Sequence, residues 1–424
     1  MARPLGVPRP SKEQIRHGLD VARLRAPLAL PTLIVGVGGG LIGAVYLWAL
    51  RELTDLIGPG ERSALPQALI LVTVGITVTV IERVLGDTGN VELLVDNIHV
   101  LGGAEDIKRV RPLVPSSLLC IAAGGGMGPE APLVQANGSF GTWVAARLHL
   151  ASQDMRVISI TGMAAGFSVL FGAPLGAALF SLEILHKRGL QYYEALVPAI
   201  FGALIGHAMN FALTRIGLEP FWHLPAVGQV DGGDLVWGLV CGVLGALGAL
   251  LFTVLVAGAR HALAKVPVVL LPAMAGLLLG GLYWWSPYAL TNGELQVNTI
   301  LASRLTAGAL AIAILAKLAG VIVTLSGRWK GGFIIPLFFI GIVAGQMIHQ
   351  LVPSTNATVL MVSLAVALCV GVTKTPLGST LVVTEMAGLA LLPMALTAAV
   401  IALVLTSQSA VIDTQRARAP VGST

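Results

Sequence analysis

The sequence predicts an all-α polytopic membrane protein built from two related halves. Three observations carry that reading. The chain of 424 residues is 55% hydrophobic and only 11% charged, whereas soluble domains carry about 25% charged residues. Its mean hydropathy is +0.86. Runs long enough to cross a bilayer alternate with short apolar runs of ~12–17 residues that are not. Finally, two sequence landmarks recur in the same order at nearly one offset.

Residues 1–25 are polar and basic and read as a cytoplasmic N-terminal segment. A first span runs from Ala26 to Leu50 and a second from Leu65 to Leu85. A charged stretch, Gly86 to Arg111, is followed by short apolar pieces: Pro112 to Ala123, Leu133 to Leu148, Val157 to Phe171, Pro174 to Leu185 and Val197 to Leu213. These read as half-helices and tilted or re-entrant segments. The first membrane repeat is therefore placed at 26–213, a polar linker at 214–234, a second repeat at 235–410 and a cytoplasmic tail at 411–424. The second repeat opens with long spans (Leu235 to Ala259, Val268 to Trp284, Ala307 to Leu325) and ends in short pieces. The short tail leaves no room for a following soluble domain. Lys12, Arg16, Arg23 and Arg25 precede the first span and Arg416 and Arg418 follow the last, so the positive-inside rule puts both ends in the cytoplasm. The first apolar run is too long for a cleavable signal peptide.

The most informative stretch is GGGMGPEAPLVQANG, residues 124–138. A Gly run followed by Pro is a loop that opens a helix. Irregular backbone at membrane depth is tolerated only where it is buried in protein or lines a cavity. The single acid in it, Glu130, is a functional-site candidate for the same reason. Taken alone, Glu130 fits two roles: a movable carboxylate that competes with a permeating anion, or a plain cap on a half-helix.

The repeat supplies a partner for this loop. PLGAALFSLE runs from Pro174 to Glu183 and PLGSTLVVTE from Pro376 to Glu385, an offset of 376 − 174 = 202. At a similar offset, 332 − 128 = 204, Gly128-Pro129-Glu130-Ala131-Pro132 falls on Gly332-Phe333-Ile334-Ile335-Pro336. Broken helices at matching positions of two halves point to a binding site between them. Each loop aims the positive end of a half-helix at that site, where unpaired N–H groups favour an anion. Glu183 and Glu385 read as structural acids bonded to nearby backbone. Lys374, just ahead of Pro376, reads as an interface cation.

At these residues the chain resembles the ClC family of chloride channels and chloride/proton antiporters. That family has an inverted repeat and anion-binding loops of the forms GSGIP, G(K/R)EGP and GxFxP. The second form appears here as Gly128-Pro129-Glu130-Ala131-Pro132, and the third as Gly332-Phe333-Ile334-Ile335-Pro336 with Ile334 for the usual Phe. The resemblance extends from about residue 26 to 410 and implies an inverted-repeat ClC-type fold with many tilted and broken helices. It implies that Glu130 is the gate, with Gly128, Pro129, Gly332, Phe333, Ile334 and Ile335 around the anion. GSGIP itself is missing; its place is Asp87-Thr88-Gly89-Asn90, so Thr88 or Gly89 stands for the family's serine.

Two further departures bear on mechanism. Antiporters of the family relay protons through the second acid of a Glu-Glu pair, and here that position is Ile184. The tyrosine that closes the inner anion site is missing too; the terminal segment offers only Thr406, Ser407, Ser409 and Thr414 as hydroxyls. These losses predict an open inner vestibule. The expectation is therefore a pore for chloride or a similar small anion, channel-like or weakly proton-coupled. A coupled chloride/proton antiporter is the alternative, and a secondary transporter of another inverted-repeat fold is a more distant one. The last would need carboxylates in both broken helices, but the second loop has Ile334. The chain carries no nucleophile motif, phosphate loop or metal-ligand spacing, so neither an enzyme nor a bound metal or cofactor is expected. Its three cysteines fit no ligand pattern, and nothing points to nucleic acid. The resemblance implies a homodimer. The lipid bilayer, the anion and possible protons complete the expected partners, in the cell (inner) membrane.

Overall fold

The computed structural model describes residues 12–89, 91–104, 106–187, 191–215, 222–228, 230–303, 305–412 and 414–415, with side chains from residue 28 onward. Among them every extended element is a helix. The first half carries α1 (Lys12–Ile57), α2 (Ala64–Leu85), α3 (Val91–Val100), α4 (Val110–Ala122), α5 (Glu130–Arg147), α6 (Ser152–Phe171), α7 (Pro174–Glu183) and α8 (Leu196–Thr214). The second half repeats the order with α9 (Gly232–Leu263), α10 (Leu271–Trp285), α11 (Glu294–Ala302), α12 (Ala307–Ser326), α13 (Ile334–Leu351), α14 (Ala357–Thr373), α15 (Pro376–Ala387) and α16 (Leu392–Leu405). Long and short helices fall at matching places: three-turn α3 and α11, then broken-helix pairs α5/α13 and α7/α15.

Two boundaries differ from the sequence reading. The first span, expected from Ala26, belongs to a helix that already begins at Lys12. Lys, Glu, Gln, Leu and Arg in residues 12–25 are all good helix formers, and no proline interrupts them until Pro27. The piece expected from Val157 starts at Ser152, because Asp154 sits in the first turn, where a negative charge stabilises the helix.

The halves face each other antiparallel across a pseudo-two-fold axis, and equivalent helices meet on it. α2 lies against its counterpart α10, where Gly276 leaves no room for a Cβ beside the Leu71 carbonyl. α7 lies against α15. A Cβ on Gly176 would meet the backbone of Val382, and one on Gly378 the backbone of Phe180. Small residues at such crossings let backbones approach in lipid, where no hydrophobic force drives the helices together. Two acids then lock the crossing. Glu183, ending α7, accepts the N–H groups of Gly378 (2.7 Å) and Leu377 (3.2 Å) at the start of α15. Glu385, late in α15, accepts the Gly176 N–H (2.8 Å) at the start of α7. Each helix caps the other's N-terminus, satisfying donors that have no intrahelical acceptor.

α6 and α14 form the centre. Every residue of α14 from Thr358 to Thr373, and of α6 from Val157 to Phe171, is buried. Around them α1, α2, α8, α9 and α10 show apolar faces outward, with Trp48, Val254 and Trp284 more than 60% exposed. Eight helices among the described residues are long and apolar enough to cross a membrane. This is an integral membrane protein, because so much exposed apolar surface needs lipid to cover it.

Candidate functional site

The two loops that the repeat brings into register meet on the axis. Gly128 donates its N–H to the Gly332 carbonyl (2.8 Å), and Gly332 donates to the Gly128 carbonyl (2.6 Å). This two-bond antiparallel bridge joins equivalent residues of the two halves. It also corrects an expectation. The amides of Gly128 and Gly332 are used by each other, and Pro129 has no N–H, so none of the three donates to an anion. Glycine at both positions makes room for the seated carboxylate: a Cβ on Gly128 would overlap the Glu130 carboxylate, and one on Gly332 would lie 2.6 Å from its Oε2 and 2.9 Å from the Ala131 amide nitrogen.

Glu130 opens α5 yet its side chain caps the opposite half-helix. It is 0% exposed. Its Oε1 accepts the Ile335 N–H at 2.5 Å, in the first turn of α13. Its Oε2 is buried with no hydrogen-bond partner. An ionised carboxylate without donors is costly to bury, so the α13 dipole and its first-turn amides are what hold it there. Phe333 and Ile334 stand at the same open end of α13, where N–H groups lack intrahelical acceptors. The arrangement is an anion site with a tethered carboxylate already in it.

Beside the site lies a small apolar cavity. Ala131 and Val134 of α5 and Gly332, Phe333 and Ile334 at the start of α13 form one side; Val91, Leu94 and Val95 of α3 form another; Met163 and Phe167 of α6, Ile184 and Ile412 complete it. A second cavity opens on the far side of Ile335, lined by Glu294, Trp222, Phe171 and Met386 among others.

A sequence profile of the family described as Voltage gated chloride channel matches residues 106–407. The chain belongs to the voltage gated chloride channel family. It is 26% identical over 416 residues to the Chloride/fluoride channel protein of Pseudomonas syringae pv. tomato, covering 92% of this chain and 86% of the relative. Among solved structures, its fold is similar to that of a slow cyanobacterial Cl-/H+ antiporter (TM-score 0.77, 19% identity, 89% of this chain and 93% of that one). It is similar to the same degree to a CLC-type fluoride/proton antiporter (TM-score 0.77, 19% identity, 97% and 100%).

Within this voltage gated chloride channel fold, three sequence expectations need adjustment. Thr88 is buried, but its hydroxyl points at the Glu82 carboxylate (3.3 Å) and the Gly89 carbonyl (3.2 Å). Glu82 is itself paired with Lys330 at 2.7 Å. Neither Thr88 nor Gly89 is among the residues that line the cavity, to which α3 offers Val91, Leu94 and Val95. Where an open inner vestibule is expected, an apolar side chain, Ile412, lines the cavity. Ile412 is 2% exposed, and its segment is tied down by Thr414 to the Glu92 carbonyl (2.7 Å) and by Gln415 to the Ile184 (2.9 Å) and Thr373 (2.8 Å) carbonyls. Ile412 carries no sequence signal, because an apolar residue is not distinctive in a chain that is 55% hydrophobic. Lys374 is no interface cation: it is 1% exposed. Its Nζ donates to the carbonyls of Gly371 (2.5 Å) and Thr406 (2.7 Å) and to the Thr406 hydroxyl (2.8 Å), capping the ends of α14 and α16. Ile184 lines the cavity.

Proposed function

We propose that the protein moves chloride or a similar small anion across the membrane through the site at the open end of α13, with Glu130 as the gate. The observation that carries this is the seat of the Glu130 carboxylate, held by the Ile335 amide through one oxygen and by nothing through the other. Ionised, the carboxylate takes the place an anion would take. Once protonated, it loses its attraction for the α13 N-terminus, swings out and yields the amides of Phe333, Ile334 and Ile335 to a chloride-sized ion. An anion held by backbone donors, with no fixed cation touching it, binds and still leaves. Family membership supports the anion as cargo.

Ile184 in the cavity wall favours channel-like or weakly coupled transport, because an isoleucine cannot carry a proton. Coupled chloride/proton exchange is the second reading, favoured by the likeness of the fold to two antiporters. The organisation that goes with the proposal is two membrane repeats, 26–213 and 235–410, joined by a linker. Both termini lie in the cytoplasm, the protein sits in the cell membrane, and it works as a homodimer. None of this calls for a cofactor or for chemistry on a substrate.

The test is flux from liposomes loaded with chloride, nitrate or fluoride. The expected result is passive anion flux that rises as the pH falls. Absence of flux for every anion tested overturns the proposal.

A further inference from the structure

The cavity beside the Glu130 seat has a lining in which every side chain is apolar. Its walls include Phe333 and Ile334, whose amides belong to the seat, and Ile412 of the C-terminal segment. It therefore lies between the seat and the face of the molecule that carries that segment. The cavity beyond Ile335 is different in kind, because Glu294 and Trp222 bring polar atoms to it.

Nothing behind the walls relieves their apolar character. The segments that supply them do carry hydroxyls and an amide, but these donate to protein acceptors. The Thr88 hydroxyl lies 3.3 Å from the Glu82 carboxylate and 3.2 Å from the Gly89 carbonyl. The Thr414 hydroxyl donates to the Glu92 carbonyl (2.7 Å), and the Gln415 amide to the carbonyls of Ile184 (2.9 Å) and Thr373 (2.8 Å). The hydroxyls of Thr406 and Ser409 donate to the carbonyls of Ala402 (2.7 Å) and Thr406 (2.9 Å). A hydroxyl has one hydrogen to give, so none of these is left over for an ion. The Lys374 ammonium, which reaches the same segment, is held by the oxygens of Gly371 and Thr406.

This makes desolvation the deciding cost. At the open end of α13 an anion exchanges water for backbone donors. In the cavity it exchanges water for methyl and methylene groups, and no hydrogen bond compensates. A small cavity with such walls also stays dry, because a water needs polar partners there. The penalty rises with the strength of the ion's hydration shell. It is largest for fluoride, smaller for chloride, and smaller again for nitrate and thiocyanate, whose charge is spread over several atoms. A protein recovers a strongly hydrated ion only with many strong ligands. Here the donors are a few amides and no fixed cation touches the site, so the order set by hydration stands.

We propose that this apolar passage makes the protein a pathway for weakly hydrated anions. Thiocyanate and nitrate pass ahead of chloride, and chloride ahead of fluoride. Ile412 and Leu94, both buried and on different walls, set that order.

The inference rests on the proposed anion transport, and the experiment keeps their failures apart. Initial flux of thiocyanate, nitrate, chloride and fluoride is measured separately from liposomes at one pH, with the flux from protein-free liposomes subtracted. The wild type is expected to show the order above. Fluoride should lie about tenfold or more below chloride, the effect of one uncompensated hydrogen bond. Ile412→Asn places an amide donor in the wall and should raise fluoride relative to thiocyanate. Asparagine is also smaller than isoleucine, but extra room alone favours thiocyanate, the larger ion, so the direction of the change reports the donor. Should Ile412→Asn not fold, Leu94→Asn puts the same donor on the α3 wall and is expected to shift the ratio the same way. Fluoride as fast as chloride in the wild type overturns the inference. So does chloride ahead of both nitrate and thiocyanate, or a fluoride-to-thiocyanate ratio that a folded variant leaves unchanged. No protein-dependent flux of any anion overturns the anion proposal instead.

Discussion

At the residue scale, the account turns on how tightly Glu130 is seated. Gly128 and Gly332 leave its carboxylate a notch with no spare volume. A methyl group at Gly332 crowds Oε2, and overpacking of this kind costs about 1–3 kcal/mol. The expected result for Gly332→Ala is a carboxylate pushed from the α13 amides. Flux at high pH should then rise several-fold toward the low-pH level, with Glu130 itself untouched. An unchanged pH profile in a folded Gly332→Ala protein contradicts the notch. Lys374 makes a different prediction. Its ammonium serves three acceptors within 2.8 Å, and only the Thr406 carbonyl among them is also reached by Ser409. Lys374→Met leaves the Gly371 carbonyl and the Thr406 hydroxyl without this donor and should destabilise the protein by on the order of 3 kcal/mol, read as a fall in its unfolding temperature in detergent. His186 adds a pH term. Burial first, and then its neighbour His99, pushes its imidazole down from 6.5 to about 4. Between those values the unfolded chain binds more protons than the folded one. Stability therefore falls as the pH falls through that window and is regained above it. His186→Gln should flatten this acid-side loss, measured as unfolding temperature at pH 7 and at pH 4.5.

Among elements, the reciprocal capping of α7 and α15 is the feature most open to test. Glu183 and Glu385 each satisfy the start of the other's helix. Replacing either with Ala should cost about 1–2 kcal/mol. A loss from only one of the two would show that the crossing is not symmetric. The element scale also shows what the sequence could reveal. Broken helices were visible because Pro174, Pro376, Pro336 and the Gly run at 124–126 are breakers whose local effect does not depend on the fold. The first span expected from Ala26 starts within two residues of that point, at Leu28, while α1 runs on ahead of it to Lys12 because helix propensity does not end where the apolar run does. What stayed hidden was the use made of each loop's amides. The Gly128–Gly332 bridge depends on two segments 204 residues apart (332 − 128) coming into register. Thr88 matched a serine by position, yet its hydroxyl answers to Glu82 and Lys330, a charge pair formed by α2 and the loop before α13. Ile412 could not be found at all, since nothing in an apolar residue marks it as a cavity wall.

For the whole molecule, the pseudo-two-fold axis explains why one acid suffices. Symmetry delivers two half-helix ends to one place and ties them together by a bond pattern that is itself symmetric. Function then requires that symmetry be broken, and the break that matters is in charge: Glu130 in the first half stands opposite Ile334 in the second. The first half supplies the movable charge and the second supplies the amides it competes for. The most direct measurement is anion flux through liposomes containing the wild type or Glu130→Gln, across pH 4.5 to 8. Glutamine keeps the size of the side chain and removes the charge that titrates. The account predicts wild-type flux that rises as the pH falls, and variant flux that is high and independent of pH. A Glu130→Gln protein whose flux keeps the wild-type pH dependence would contradict it.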